Sequence, residues 1–294
     1  MFSGSIVALV TPFKTDGSLD ESAWIGLLDW HLASGTDGVV VVGTTGESAT
    51  VSNEEFERLL ALAVERVGGR MAILAGTGSS STQQTIERTA RAAALGADAA
   101  LVVTPAYNRP TQRGLEAHYR AVADAASIPV VLYNVPARTA CDLLPETVAR
   151  LADHERIVAI KEAVGDADRV AALVETGLTV LSGDDPTCCE RMLAGAKGVI
   201  SVAANVVPAR FARLCHLALD GDADGARTID RALAELYSFL GVEPNPVPVK
   251  WLLHRMGRLE DALRLPLVSL DARHRAAADA LIRAQQLDVV SDVA

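Results

Sequence analysis

The stretch Ile157-Val158-Ala159-Ile160-Lys161 places an amine at the end of a short apolar run. Such a run predicts a buried strand. An ammonium at this position would be costly to bury, because it would have to leave water. A neutral amine avoids this cost and is a nucleophile for carbonyl carbon. The chain has only four lysines, and the other three, Lys14, Lys197 and Lys250, are predicted to lie in turn-like or polar settings. A lysine that reaches solvent from the strand end is the alternative interpretation.

Short apolar runs recur eight times along the chain, and most are rich in Val and Ile without strict polar alternation. This composition is typical of parallel strands that are buried on both faces. The eight runs are Ile6–Val10, Val39–Val42, Met71–Ala75, Ala99–Val103, Val130–Tyr133, Ile157–Ile160, Leu178–Leu181 and Val199–Val202. Seven stretches with helical spacing separate them, and the second opens on a capping box, Ser52-Asn53-Glu54-Glu55.

This alternation predicts an α/β fold, a (β/α)8 barrel over residues 1–224 with a C-terminal helical subdomain over residues 225–294. The last part of the chain is purely helical in pattern, and it contains the stiff link Glu243-Pro244-Asn245-Pro246-Val247-Pro248. A doubly wound open sheet is the alternative fold. It is disfavoured because the first run is not followed by a Gly-x-Gly-x-x-Gly turn.

Composition excludes several classes of function. The formal net charge of −10 argues against a nucleic-acid partner, and the chain has no apolar run of the roughly 20 residues that a membrane span needs. The six histidines show no paired spacing, so no metal site is expected. The first residues lack the basic region of a secretory signal, and the four cysteines lack a Cys-x-x-Cys pattern. Reduced thiols in the cytoplasm are therefore expected.

Candidate site residues follow the strands, because barrel enzymes carry out their chemistry at the C-terminal strand ends. Gly43-Thr44-Thr45-Gly46 can present N–H groups and hydroxyls to a carboxylate, or it is a plain strand–helix connection. Tyr133, one strand before Lys161, can pass a proton during imine formation, or it is a buried aromatic. Arg138 can clamp a substrate carboxylate, or it is a surface arginine. Tyr107 lies in a proline-bounded loop and is expected to pack, often against a neighbouring subunit.

Two acidic residues follow the seventh strand. Asp184 and Asp185 would repel a phosphate, which disfavours a phosphorylated substrate and a pyridoxal phosphate cofactor. Their expected structural role is to cap the helix that starts at Pro186.

Four segments together carry a resemblance that covers essentially the whole chain. They are Gly43-Thr44-Thr45-Gly46-Glu47-Ser48, Tyr107-Asn108-Arg109-Pro110, Tyr133-Asn134-Val135-Pro136-Ala137-Arg138-Thr139 and Lys161-Glu162-Ala163. They resemble the 4-hydroxy-tetrahydrodipicolinate synthase (dihydrodipicolinate synthase) family. The resemblance implies a pyruvate-dependent class I aldolase-type enzyme on a (β/α)8 barrel, which uses no cofactor.

The resemblance also implies a role for each catalytic candidate. Lys161 is expected to form a Schiff base with pyruvate. Thr44, Tyr133 and Tyr107 are expected to form a proton relay, with Tyr107 reaching in from the neighbouring subunit. Family members are commonly cytoplasmic homotetramers on the diaminopimelate route to lysine.

Substrate-binding roles follow from the same resemblance. Thr45 is expected to hold the pyruvate carboxylate, with Gly183 and Ile200 lining that site. Arg138 is expected to bind the carboxylate of L-aspartate 4-semialdehyde. Two alternatives remain: a sister pyruvate-dependent aldolase (N-acetylneuraminate lyase or 2-keto-3-deoxy sugar acid aldolase) and a non-catalytic barrel. Arg138 and the tandem threonines favour the synthase.

One departure from the family pattern concerns feedback by lysine. Many members bind lysine at a subunit interface through two histidines, a carboxylate and a tyrosine. The corresponding positions here are Asn53, Phe56, Gln84 and Ala106. Since the carboxylate that would pair with an ammonium is missing, we expect weak or absent inhibition by lysine.

Overall fold

In the computed structural model, which describes residues 2–287, eight parallel strands close into a barrel. Each strand pairs with its neighbour in the chain, and β8 pairs with β1. The strands are β1 (Gly4–Ala8), β2 (Gly38–Val41), β3 (Ala72–Gly76), β4 (Ala99–Val103), β5 (Val130–Asn134), β6 (Ile157–Glu162), β7 (Thr179–Ser182) and β8 (Gly198–Ser201). The predicted fold class is confirmed, and every predicted run overlaps a strand.

Twelve α-helices are described. They are α1 (Glu21–Ala33), α2 (Asn53–Val67), α3 (Thr82–Ala94), α4 (Gln112–Ala125), α5 (Pro136–Thr139), α6 (Pro145–Leu151), α7 (Ala167–Val174), α8 (Cys188–Leu193), α9 (Pro208–Leu219), α10 (Ala223–Leu240), α11 (Val247–Arg255) and α12 (Ala272–Ala284). The capping box at the start of α2 is confirmed, because Ser52 and Glu55 each bond the other's backbone N–H. The short helix α5 and the barrel helix α9 were not predicted.

Apolar side chains form two separate clusters, as expected when a parallel sheet is buried on both faces. A small cluster fills the barrel and includes Ile6, Val40, Leu74, Tyr133 and Ile200. The larger cluster lies between the strands and the surrounding helices. The barrel interior is therefore packed, and polar chemistry is confined to its ends.

The C-terminal helices complete the molecule. Helix α10 packs against α8 and α9, and α12 packs against α10 and α11. The division into units at residues 224 and 225 stays a prediction, and its last seven residues, 288–294, lie outside the described part. Within residues 2–287, no helix has the length and apolar character needed to cross a membrane.

Candidate active site

Lys161 and Tyr133 lie side by side at the C-terminal ends of β6 and β5. The two residues are partners in the strand register, so their side chains leave the same face of the sheet. Lys161 Nζ lies 4.4 Å from the centroid of the Tyr133 ring, and each residue is 6% exposed. Among the described residues, no carboxylate lies within 4.0 Å of Lys161 Nζ. The amine is thus nearly buried and next to a phenol, and the described carboxylates, Asp185 among them, lie beyond ion-pair distance.

Gly183 makes room for the lysine. A Cβ at this position would lie only 2.9 Å from Lys161 Cε and 3.1 Å from Ala163 Cα. Its N–H donates to the Glu162 carbonyl at 2.7 Å, which fixes the residue beside β6. Ile200, in β8, belongs to the apolar cluster inside the barrel, as does Tyr133. Gly183 therefore contacts Lys161, and Ile200 shares the inner apolar cluster with Tyr133.

The segment from Gly43 to Ser48, here called the threonine turn, follows β2 and carries Thr44 and Thr45. Thr44 lines a narrow cleft at the barrel mouth together with Gly76, Gly78, Leu101, Val103 and Tyr133. Thr45 is buried, and its hydroxyl accepts a hydrogen bond of 2.9 Å from Asn245 Nδ2. A larger depression of about 620 Å³ lies outside the barrel between α1 and residues 254–260, and it contains none of the predicted site residues.

Arg138 lies in α5, directly after β5, and its side chain is exposed. Its Nη2 donates to the Asn245 carbonyl at 3.2 Å. Asn245 therefore joins Arg138 to Thr45, the residues predicted to bind the two substrate carboxylates. Sequence reasoning did not single out Asn245, and the only signal was its place in the proline-rich link.

Tyr107 does not join the other residues within this chain. It is 95% exposed and has a backbone φ of 70°. Its loop is fixed, because Asn108 Nδ2 donates to the Ser80 carbonyl and Ser80 Oγ donates to the Ala106 carbonyl, both at 2.9 Å. These bonds hold the loop, and the Tyr107 ring projects from it into solvent.

The acidic residues after β7 do not act as the predicted caps. No side chain caps the following turn, and Asp184 instead accepts a hydrogen bond from the Thr187 hydroxyl. Asp185 is buried, and its Oδ2 accepts from the N–H groups of Val202 and Ala203 at 3.1 and 2.8 Å. Burial raises the pKa of Asp185, and these bonds oppose the shift. The capping prediction is wrong because the end of β8 supplies donors that local sequence does not show.

A buried network supports the strands behind the lysine. The Glu162 carboxylate accepts hydrogen bonds from Asn134 Nδ2 at 3.1 Å and from Arg169 Nε at 2.8 Å. Arg169 also binds Asp142 at 2.7 Å and the Leu143 carbonyl at 2.6 Å. Burial raises the pKa of Glu162, and Arg169 opposes that shift. The network ties β5 and β6 to the connection that carries Arg138.

Lys250 corrects a second expectation. It was predicted to lie in a turn-like or polar setting, but it is 1% exposed on α11. Its Nζ lies 2.6 Å from Glu47 Oε1. The prediction was wrong because the acidic partner is 203 residues away in sequence.

The fold and the composition of the barrel mouth define a (β/α)8 enzyme of the class I aldolase type. The chain belongs to the Dihydrodipicolinate synthetase family, whose model matches residues 1–285. It is 57% identical over 282 residues to the 4-hydroxy-tetrahydrodipicolinate synthase of Stenotrophomonas maltophilia (strain K279a), covering 95% of each chain.

Solved structures of the family share the whole fold. The crystal structure of the chloride-inhibited dihydrodipicolinate synthase from Acinetobacter baumannii in complex with pyruvate has a TM-score of 0.96 and 44% identity, covering 99% of this chain and 100% of that one. A monomeric dihydrodipicolinate synthase variant has a TM-score of 0.95 and 38% identity, with 97% of both chains covered.

Proposed function

We propose that this chain condenses pyruvate with L-aspartate 4-semialdehyde to 4-hydroxy-tetrahydrodipicolinate, on the diaminopimelate route to lysine, through a Schiff base on Lys161. The observation that carries the proposal is the nearly buried Lys161 amine beside the Tyr133 phenol. The chain's relative of 57% identity bears the name of this synthase, and the Acinetobacter baumannii structure contains pyruvate.

The residues can be assigned to a sequence of proton and bond changes. Lys161 Nζ attacks the ketone carbon of pyruvate, and the carbinolamine loses water to give an iminium ion. Loss of a methyl proton then gives an enamine, whose carbon attacks the aldehyde of the second substrate. The amine of that substrate closes the ring at the former ketone carbon and releases Lys161. Tyr133, Thr44 and Tyr107 are the proposed proton carriers for these steps.

Binding of the two acids is assigned to separate groups. Thr45 holds the pyruvate carboxylate with its hydroxyl and the N–H groups of the threonine turn, and Gly183 and Ile200 line the same pocket. Arg138 takes the carboxylate of the semialdehyde in bidentate fashion. Its guanidinium is exposed at the mouth, where a second substrate would arrive after pyruvate.

Borohydride trapping tests the proposal. The protein is reduced in the presence of pyruvate, and the modified peptide is identified by mass spectrometry. We expect one pyruvate adduct on Lys161 and none in Lys161→Met, whereas an unmodified Lys161 would reject the mechanism. An assay with aspartate semialdehyde coupled to the next reductase, and a separate assay for pyruvate release from a sugar acid, then distinguish the synthase from the sister aldolases.

The same proposal includes a homotetramer in which Tyr107 acts across subunits. The exposed Tyr107 ring supports this arrangement, although the monomeric variant shows that not every relative assembles. Four chains of 30.9 kDa would give a particle of about 124 kDa in light scattering. Mixing Lys161→Met with Tyr107→Phe tests the crossing directly, because only hybrid oligomers would contain sites with both groups intact. Activity no higher than that of the separate variants would contradict it.

A cytoplasmic location is part of the proposal as well. Its support is that Cys141, Cys188, Cys189 and Cys215 are all free and buried, as expected in a reducing compartment. Cell fractionation with an antibody against the chain tests it, and recovery outside the cytoplasmic fraction would contradict it.

A further inference from the structure

Glu47 and Lys250 form an ion pair inside the protein, between the threonine turn and α11. Their side chains are each 1% exposed, with Nζ 2.6 Å from Oε1. Nζ also donates to the Thr11 carbonyl at 2.9 Å and lies 4.6 Å from the centroid of the Phe13 ring. Burial lowers the pKa of Lys250, and Glu47 opposes that shift. Removing each ion from water is costly, so a buried ion pair is weak evidence that the pair stabilises the fold. Its alternative role is to specify one conformation of the chain.

Glu47 is also strained. Its φ of 56° lies in the left-handed region, which a non-glycine residue adopts only at a cost in free energy. In this conformation its N–H donates to the Thr44 carbonyl at 3.1 Å, which closes the threonine turn. The side chain is held at both oxygens, by Lys250 Nζ and by the N–H of Arg264 at 3.2 Å. These contacts oppose relaxation of the strained residue.

The region after α10 reaches the threonine turn, and the residues directly after it, at two further points. Asn245 lies just before α11 and donates to the Thr45 hydroxyl. Arg264 lies beyond α11 and donates to the Thr50 carbonyl at 2.8 Å. The turn that is proposed to bind the pyruvate carboxylate is therefore fixed from outside the barrel.

We infer that Lys250 is a positioning residue, which holds the threonine turn through Glu47 in the conformation that binds pyruvate. The inference depends on the proposed function and deepens it. Without the pair, Glu47 can leave its left-handed conformation, and the groups of Thr44 and Thr45 lose their alignment. Lys161 lies on β6, outside the turn, so the nucleophile itself stays in place.

Three variants test the inference: Lys250→Met, Glu47→Gln and the double variant Glu47→Gln/Lys250→Met. Lys250→Met leaves a carboxylate buried without its partner and is expected to lose stability, whereas the double variant removes both charges and recovers much of it. In each folded variant we expect the pyruvate KM to rise tenfold or more. The semialdehyde KM and the final yield of adduct at saturating pyruvate should change less than threefold.

Leu151→Ala provides the matched control for destabilisation. Leu151 is fully buried at the end of α6, remote from the threonine turn, so its loss should lower stability and leave the pyruvate KM unchanged. If the parent protein forms no adduct at Lys161, the proposed function fails. If the parent forms the adduct and the folded double variant keeps the pyruvate KM within twofold of the parent value, the inference alone is overturned.

Discussion

Replacing Gly183 with alanine tests whether activity depends on where the Lys161 side chain lies and not only on its presence. The added Cβ would lie 2.9 Å from Lys161 Cε, closer than carbon atoms approach in folded proteins. It would also lie 3.1 Å from Ala163 Cα, a tight but tolerable approach. The atom with freedom to move is Cε, near the end of a flexible side chain.

The geometry gives a magnitude for this substitution. Ordinary carbon contacts begin at about 3.4–3.5 Å, so Cε must move by about 0.5 Å. A displacement of about 1 Å in an active site can cost about 100-fold in rate, so half of that displacement predicts a loss of about tenfold in kcat/KM. This loss corresponds to about 1.4 kcal/mol of transition-state stabilisation. Stability should fall by only about 1 kcal/mol, because the side chain yields before the backbone does.

Two measurements on the same preparation separate these effects. Steady-state kinetics give kcat/KM, and urea unfolding gives the free energy of unfolding. Gly26→Ala is the matched control, because a Cβ there meets no atom within 4 Å and the residue lies inside α1. That control should keep full activity and gain up to about 1 kcal/mol from helix propensity. A Gly183→Ala protein with parental kcat/KM would refute the packing argument.

Three further predictions concern stability and regulation. Burial lowers the pKa of His31 from 6.5 to about 3, so below pH 6.5 the unfolded state binds a proton that the folded state does not. The free energy of unfolding should therefore fall below pH 6.5 by up to about 1.4 kcal/mol per pH unit. In urea titrations, His31→Gln should reduce that slope. Arg169→Met leaves Glu162 buried without its cation, so urea unfolding should show a loss of about 3 kcal/mol that Glu162→Gln/Arg169→Met partly recovers. An Arg169→Met protein as stable as the parent would contradict this. L-Lysine should inhibit weakly or not at all in the coupled assay. The reason is that the positions expected to bind lysine carry other residues here, namely Asn53, Phe56, Gln84 and Ala106. A sub-millimolar inhibition midpoint would contradict the prediction.

Local sequence predicted the barrel well because buried parallel strands appear as apolar runs. The run at Ala99–Val103 matches β4 at both ends, and the run at Ile157–Ile160 falls two residues short of the end of β6. That difference has a physical cause, since Lys161 and Glu162 keep the strand pairing although their side chains are polar. The short helix α5 escaped prediction because four residues carry too little periodicity to detect.

Contacts between distant parts of the chain could not be predicted in the same way. We expected Asp185 to cap the helix beside it, but its carboxylate accepts hydrogen bonds from two N–H groups directly after β8. These groups lie 17 and 18 residues further along the chain. Lys250 meets Glu47 only because α11 returns to the barrel mouth. For Tyr107 we propose partner groups on another copy of the chain, which is a longer-range relation than any local pattern in the sequence.

The two buried lysines show why burial by itself does not identify a nucleophile. Lys250 is the more deeply buried, and it lies against the Glu47 carboxylate, which opposes the lowering of the Lys250 pKa by burial. Lys161 has a phenol at 4.4 Å and no carboxylate within 4.0 Å among residues 2–287. A lysine amine that attacks a carbonyl must not be held in a competing ion pair, whereas a lysine that holds a strained turn needs such a pair. The kind of partner therefore separates the proposed nucleophile from the proposed positioning residue, since both amines are buried.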